Sequence, residues 1–440
     1  MKKVSLRAYS AILIALCVIT LLVVYIVRYV NHGEDWALYF DYATSEFSYT
    51  LTDRNGVVLA NMGGGTKTYA DDPEVRKVCY HVVGDYGGNV GTGALQSFQK
   101  ELSGYNLIGG IEQHDDVTLA LTVDSELNKI AYNALAGRNG CVLVSNYKTG
   151  EILCMVSSAA LDPVDPPENI PDGAYINRCI SSSFTPGSVF KIVTLTAALE
   201  NIGDLSKRSF TCTGGIDVMG VRVSCTGVHG TQTIEQAFAN SCNCAFAQLA
   251  LELGADTLSR YADALGITRT HTLDGNTTAA GNFDKDESGS AALAWSGIGQ
   301  YNDLVCPYSM LRIVSAIANG GTVVEPSTLG VSEKMTKLIS PSTAQKLSSM
   351  MNYNVAYHYG TSRFPGLNIS AKTGTAELGG ENAPHGWFVG FLNDEEHPYA
   401  FVFLIEHGGT GLSGAGALAN EVLNYAVSLP APQPAPVQAD

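Results

Sequence analysis

The sequence predicts an α+β protein whose largest domain carries a mainly antiparallel sheet drawn from two distant parts of the chain. Three observations carry this reading. Cys141-Val-Leu-Val-Ser and Glu151-Ile-Leu-Cys-Met-Val are short apolar runs on either side of Tyr147-Lys-Thr-Gly150, which is a hairpin pattern. Leu367 to Gly374, Gly386 to Phe391 and Tyr399 to Ile405 are three successive strand patterns near the C-terminus. Between these ends, Ile192 to Glu200 and Thr231 to Gly254 show helical spacing, the second as two helices interrupted at Asn240-Ser241.

The remaining elements follow in chain order. Ala8 to Val27 is a stretch of twenty uncharged residues, and twenty helical residues span about 30 Å of hydrocarbon. Lys2, Lys3 and Arg7 precede it; Arg28 follows, with Glu34 and Asp35 close behind. The positive excess predicts a cytoplasmic N-terminus (1–7), a single transmembrane anchor (8–28) and an extracytoplasmic remainder. A cleaved signal peptide is the alternative. Its apolar region is normally shorter and ends in a small-residue site, which Val23-Val-Tyr-Ile-Val-Arg-Tyr29 does not offer.

Residues 31–115 are polar and Gly-rich and read as a small β-rich N-terminal domain. Thr50 to Ala60 is strand, Asn-Gly turn, strand, and Leu95 to Leu102 is a short helix closed by Gly104. The rhythm changes near Asp116, where the second domain (116–429) is expected to begin. Val117 to Val123 is a strand, and Asp124 caps a helix to about Ala136. Leu161 to Asp172 carries four prolines and is a loop. Gly414 to Val427 is a closing helix. The tail 430–440, with Pro430-Ala-Pro-Gln-Pro-Ala-Pro436, is PPII-like and unpacked.

Composition bounds the function. Apolar residues make up 45% and charged residues 15%, which excludes a disordered or collagen-like chain. Asp plus Glu number 42 against 26 Lys plus Arg, a net charge of −16 with no basic stripe, which argues against a nucleic-acid partner.

Three short patterns carry chemistry. In Ser188-Val-Phe-Lys191, Pro186 and Gly187 break the chain so that Ser188 opens a helix, and positions i and i+3 share a face. A hydroxyl needs a base within reach to become a nucleophile, and a lysine serves when burial lowers its pKa. Ser241-Cys-Asn243 follows 53 positions later (241 − 188). Lys372-Thr373-Gly374-Thr375 sits on an expected edge strand, where the glycine lets a ligand approach the backbone and the cation and two hydroxyls suit a carboxylate. Each pattern alone is common; Lys148-Thr-Gly150 in this chain reads as a plain turn.

Their order and separation together form the signature of penicillin-binding proteins and serine β-lactamases. The surroundings resemble the monofunctional class B penicillin-binding proteins. Thr185-Pro-Gly-Ser-Val-Phe-Lys191 is similar to that family's active-serine segment. Asn240-Ser-Cys-Asn243, Gly297-Ile-Gly-Gln300 and Ala371-Lys-Thr-Gly-Thr-Ala-Glu377 are similar to its later boxes, and His385-Gly-Trp-Phe-Val-Gly390 to the neighbouring strand. Asp53 to Ala60 and His81-Val-Val-Gly84 resemble pieces of the N-terminal pedestal.

The resemblance implies a serine β-lactamase/transpeptidase-like domain, with helices on both sides of the sheet and a helical subdomain, behind a short pedestal and one transmembrane helix. It implies that Ser188 attacks a D-Ala–D-Ala carbonyl or a β-lactam, with Lys191 as base. Ser241, with Lys372 behind it, relays a proton, and Asn243 orients the donor amide and Lys191. Backbone N–H groups of Ser188 and Thr375 stabilise the oxyanion, while Thr373 and Thr375 hold the carboxylate. No cofactor is required for this catalysis. The partners implied are peptidoglycan stem peptides, β-lactams, the membrane and a polytopic glycosyltransferase of the SEDS type. Tyr301-Asn-Asp-Leu-Val-Cys-Pro307 departs from the family pattern, and no segment resembles a glycosyltransferase module. The rivals are a D,D-carboxypeptidase, a membrane-anchored serine β-lactamase, and a non-enzymatic β-lactam sensor or scaffold.

Of ten cysteines, Cys17 lies in the expected anchor and nine lie outside it, an odd set that cannot pair completely within the chain. Cys225-Thr-Gly-Val-His229 has ligand-like spacing, and Cys212 and Cys242 flank it by 13 positions each (225 − 212 and 242 − 229). Cys212, Cys225, His229 and Cys242 are a candidate structural zinc set. A Cys212–Cys225 disulfide is the main alternative and four unlinked side chains a second, since spacing alone does not settle the connectivity.

Overall fold

The computed structural model describes residues 2–41, 48–63, 66–103, 105–106, 108, 110–111, 117–284, 290–380 and 382–430. Gly104, Asp116 and the tail from 431 lie outside the described residues. A single helix runs Lys2–Asp41, past the expected end of the anchor at 28. Its segment Arg7–Gly33 is long and apolar enough to cross a membrane, and its most apolar stretch is exposed along its whole length.

The N-terminal sheet has four strands in the order Thr66–Tyr69, Val58–Gly63, Tyr49–Thr52, Val117–Ala120. The Asn-Gly turn forms where expected, because Asp53 Oδ1 accepts from Asn55 N (2.8 Å) and Val57 N (2.9 Å). One expectation needs correction. Val117–Ala120 was expected to open the second domain; it is instead paired in parallel with Tyr49–Thr52, so the N-terminal sheet recruits chain from beyond 116. Beside the strands of this region stand four short helices, Pro73–Val78, Tyr80–Val83, Ala94–Ser97 and Gln99–Ser103. The helix expected over Leu95–Leu102 breaks at Phe98, and the break turns Leu95, Phe98 and Leu102 all into the core.

Asp124 caps the helix Ser125–Leu135 by accepting from Leu127 N at 2.9 Å. Asp53 Oδ2 accepts from Ser125 Oγ at 2.7 Å and also from its N–H, so one buried carboxylate joins the first turn of this helix to the N-terminal sheet.

The main sheet is five-stranded and antiparallel, in the order Ile369–Ala376, His385–Leu392, Tyr399–Ile405, Gly140–Asn146, Ile152–Ser158. Side chains alternate between two cores. Val142 and Val144 pack with Leu127, Ala131, Val422 and Leu423, from the helices Ser125–Leu135 and Ala415–Ala426. Cys141 and Leu143 pack on the opposite face with Leu311 and Val314 of the helix Pro307–Ala318. Burial on both faces is why these strands read as unbroken apolar runs, each large side chain contributing about 1.5–3 kcal/mol. Ile369–Ala376, which carries Lys372, is an edge strand as expected.

The helical subdomain contains Lys191–Asn201, Ile234–Ala239, Asn243–Ala264 and Pro341–Asn354. The helix expected from Thr231 begins later. Gly230–Thr233 is a strand paired with Ser209–Cys212, and Thr233 then caps Ile234–Ala239 through a reciprocal capping box with Gln236.

Candidate active site

Ser188 is fixed by what precedes it. It lies in one 3-10 turn, Gly187–Phe190, and the α-helix starts only at Lys191. In a 3-10 turn positions i and i+3 eclipse, which stacks Lys191 over Ser188 more directly than an α-helical turn would. Gly187 has φ 54 and donates its N–H to Gly299 O at 2.8 Å. A Cβ there would lie 2.5 Å from Thr375 O, so only glycine lets the turn press against the edge strand. Trp387 Nε1 donates to Thr185 O at 2.9 Å and holds the incoming chain from behind.

The Ser241 turn joins the helices Ile234–Ala239 and Asn243–Ala264. Ser241 takes φ 53, a left-handed conformation that costs a non-glycine residue about 1–3 kcal/mol and that neighbouring contacts must hold. In return, Ser241 and Asn243 face Lys191 together.

The structure brings all five chemistry-bearing side chains of the three patterns into one place. Lys191 Nζ lies 2.9 Å from Ser188 Oγ, 2.6 Å from Ser241 O, 3.1 Å from Ser241 Oγ and 2.7 Å from Asn243 Oδ1. Lys372 Nζ lies 3.0 Å from Ser241 Oγ and 3.0 Å from Thr373 O. Ser241 Oγ therefore bridges two amines. Both lysines are completely buried, and among the described residues neither pairs with a carboxylate. Their nitrogens sit over the rings of Phe246 and Phe238, at 5.6 and 5.7 Å.

Burial pulls Lys191 down to about 7. Burial, with the neighbouring Lys191 cation, pulls Lys372 well below the ordinary lysine range. A neutral amine has two N–H bonds and one lone pair. The two shortest contacts, to Ser241 O and Asn243 Oδ1, use the N–H bonds, which leaves the lone pair for the Ser188 hydroxyl. That is the arrangement of a general base.

The edge strand shows which backbone positions remain open. Asn354 Nδ2 donates to Ala371 O at 2.9 Å. Two residues on, Thr373 N–H donates to the Tyr359 hydroxyl at 3.0 Å, and Lys372 takes Thr373 O. The Thr373 hydroxyl also meets Tyr359 Oη at 3.2 Å. With its oxygen toward Glu377 N and its nitrogen toward Glu377 O, the Gln300 amide pairs at 3.2 Å with each; turned over, it makes one 3.3 Å bond to Thr375 O. Thr375 lies between these closed positions, half-buried and against the turn that carries Ser188. Its hydroxyl oxygen accepts from Gly411 N at 3.2 Å, which leaves its proton to point elsewhere.

Gly374 serves a different purpose from the one its position suggested. A Cβ there would lie 2.7 Å from Pro186 O and 3.0 Å from Val189 Cγ1, so the chain's own Ser188 turn, rather than a ligand, makes the close approach. Tyr359 was not legible at all: it closes a π-helical turn, Val355–Tyr359, and no local pattern marks it.

The structure also gathers Cys212, Cys225, His229 and Cys242, whose ligand atoms all lie within 4.8 Å of one another. All ten cysteines are free thiols, and the Cys212–Cys225 disulfide is not formed.

Comparison with known proteins bears on this geometry. Residues 140–426 match the family described as the penicillin binding protein transpeptidase domain. The chain is 31% identical over 319 residues to the peptidoglycan D,D-transpeptidase PbpA of Mycobacterium tuberculosis. That match covers 63% of this chain and 64% of the relative, so it spans less than two thirds of the relative's length. The crystal structure of the D,D-transpeptidase domain of a peptidoglycan glycosyltransferase from Eggerthella lenta is similar, with a TM-score of 0.73 at 26% identity, covering 87% of this chain and 99% of that one. The ceftriaxone acyl-enzyme of penicillin-binding protein A from M. tuberculosis shares the fold, with a TM-score of 0.75 at 23% identity and coverage of 87% and 99%.

Proposed function

Because the chain belongs to the penicillin-binding protein transpeptidase family, we propose that it is a peptidoglycan D,D-transpeptidase that crosslinks stem peptides through an acyl-enzyme on Ser188. The observation that carries this reading is the continuous path Ser188 Oγ, Lys191 Nζ, Ser241 Oγ, Lys372 Nζ, with each step between 2.9 and 3.1 Å. Ser188 Oγ attacks the penultimate D-alanine carbonyl as its proton passes to Lys191. The developing oxyanion is met by the N–H groups of Ser188 and Thr375. The proton moves through Ser241 to the departing D-alanine amine, and an ester remains on Ser188. An amine from a second stem attacks this ester and releases the serine, closing the crosslink. Thr373 and Thr375 hold the terminal carboxylate, and a β-lactam enters as a mimic of the same acyl donor.

The N-terminal charge excess supports an orientation with Lys2, Lys3 and Arg7 in the cytoplasm and the catalytic domain outside. A polytopic SEDS-type glycosyltransferase is the partner that would supply glycan strands in this reading.

The test is to give the full-length protein nascent, uncrosslinked glycan strands and digest the product. Crosslinked muropeptides that vanish in Ser188→Ala support the reading. Trimmed stems without crosslinks point instead to a carboxypeptidase. Rapid turnover of the penicilloyl-enzyme points to a β-lactamase.

Two predictions follow from the geometry. With Lys191 near 7, the base is protonated and inactive below that value, so acylation by a β-lactam should rise with pH through about 7 and level off above it. Stopped-flow acylation across neutral pH checks this, and a flat profile contradicts it. Tyr359→Phe keeps the ring but leaves Thr373 N–H without its partner and frees its hydroxyl, at a cost of about 1–1.5 kcal/mol or roughly tenfold. The loss should appear in the binding of carboxylate-bearing β-lactams and be smaller for their methyl esters. Equal losses for acid and ester would remove Tyr359 from carboxylate recognition.

A further inference from the structure

We propose that Cys212, Cys225, His229 and Cys242 form a tetrahedral zinc site that fixes the Ser241 turn from behind. Each ligand comes from a different short element. Cys212 ends the strand Ser209–Cys212, and Cys225 follows the strand Val221–Ser224. His229 precedes the strand Gly230–Thr233, and Cys242 is the residue from which the helix Asn243–Ala264 springs. Cys212 faces Gly230 in the strand register, which brings it beside His229. These strands form two separate two-stranded ribbons. Phe210, Val218 and Val223 pack these ribbons into the main core, and the four side chains converge where the ribbons meet the helix.

The spacing fits an ion. Zinc with Zn–S near 2.3 Å and Zn–N near 2.0 Å in tetrahedral geometry sets its ligand atoms roughly 3.5–3.8 Å apart. Cys225 Sγ lies 3.6 Å from His229 Nδ1 and 4.0 Å from Cys242 Sγ. All four ligand atoms lie within 4.8 Å of one another, so a closure of at most about 1 Å completes the set. Three sulfurs and one imidazole nitrogen form a soft donor set that selects zinc over calcium or magnesium. Asn243 N–H donates to Cys225 Sγ at 3.2 Å, the kind of outer bond that orients a thiolate ligand. Cys212 and Cys242 are buried while Cys225 and His229 are half-buried, which gives the ion an entry path.

The position gives the site a consequence. Cys242 sits between Ser241 and Asn243, the two residues that hold Lys191. Ser241 is in a left-handed conformation that its surroundings must maintain. A metal bound to Cys242 anchors that turn without touching the cleft, so Cys212, Cys225 and His229 are positioning residues for the Ser241 hydroxyl.

The metal count is independent of the acyl-enzyme reading; the effect on acylation rests on it. Full-length protein purified in detergent without chelator should contain one zinc per chain by elemental analysis. Zinc should be lost in Cys225→Ser and His229→Ala and retained in His229→Cys, which restores a fourth ligand. Cys244→Ser should retain it, because Cys244 is outside the converging set. Cobalt exchanged into the parent should give the absorption of a tetrahedral thiolate site, a readout that does not depend on the variants folding. Chelation should slow acylation by a fluorescent penicillin at least tenfold, with recovery on adding zinc. A metal-free parent overturns the site, whether all ten thiols titrate in denaturant or only eight (ten minus the two of a Cys212–Cys225 disulfide). One zinc per chain with an acylation rate indifferent to its removal overturns the link to Ser241.

Discussion

Lys191→Ala is expected to slow acylation of Ser188 by a factor of about 10²–10⁴ while leaving the protein folded. The argument is geometric. Lys191 is the nearest amine to Ser188 Oγ, at 2.9 Å, and its two N–H bonds are committed to Ser241 O and Asn243 Oδ1. Removing it takes away the lone pair proposed to receive the proton, and among the described residues no other amine is within hydrogen-bonding distance of Ser188 Oγ. Lys372 cannot substitute directly, because it reaches Ser241 Oγ rather than Ser188. The truncation leaves a space lined by Phe246 and the Ser241 turn, so some loss of stability accompanies it. Acylation rates under saturating β-lactam, measured beside a thermal melt, separate the two effects. A variant acylated within tenfold of the parent would show that another group serves as base.

Gly187→Ala is expected to be nearly as damaging, although glycine carries no chemistry. Its φ of 54 already disfavours a side chain, and the new methyl would meet Thr375 O at 2.5 Å, Thr375 C at 2.8 Å and Ala376 Cα at 3.0 Å. These are backbone atoms of the sheet edge and cannot swing aside. The Ser188 turn must therefore lift off the edge strand, separating the N–H groups of Ser188 and Thr375 that are proposed to meet the oxyanion. A displacement of about 1 Å at such a site costs roughly a hundredfold in rate, and losing one oxyanion donor costs about 10²–10³. The loss should fall on the acylation step more than on non-covalent affinity for the same β-lactam. An acylation rate within threefold of the parent would mean that the two elements do not need this contact.

The parts of the fold that sequence disclosed were those where local chemistry and tertiary environment agree. Tyr399–Ile405 read as a strand because every residue in it is buried by one core or the other. Asp124 announced its helix because the cap is a local hydrogen bond. The three catalytic patterns were legible because each has fixed internal spacing, and the fold then brought Ser188, Ser241 and Lys372 together. What stayed hidden depended on distant partners. Thr231–Thr233 looked like the start of a helix, since the pairing of this strand with Ser209–Cys212 is long-range. Val117–Ala120 joins the N-terminal sheet by a parallel pairing with Tyr49–Thr52 that no neighbouring residue signals. Gly374 seemed placed for a ligand until Pro186 and Val189 were found against it. The Tyr359 hydroxyl reaches Thr373 from a turn 14 positions upstream (373 − 359), a contact set by packing alone.

The central claim is that Ser188 is the residue that becomes acylated. Intact-mass spectrometry of the full-length protein after incubation with a β-lactam, followed by peptide mapping, tests it most directly. The structure predicts one adduct per chain, located on the peptide containing Ser188 and absent from Ser188→Ala. An adduct that persists in Ser188→Ala, or one that maps to another residue of the parent, would contradict it.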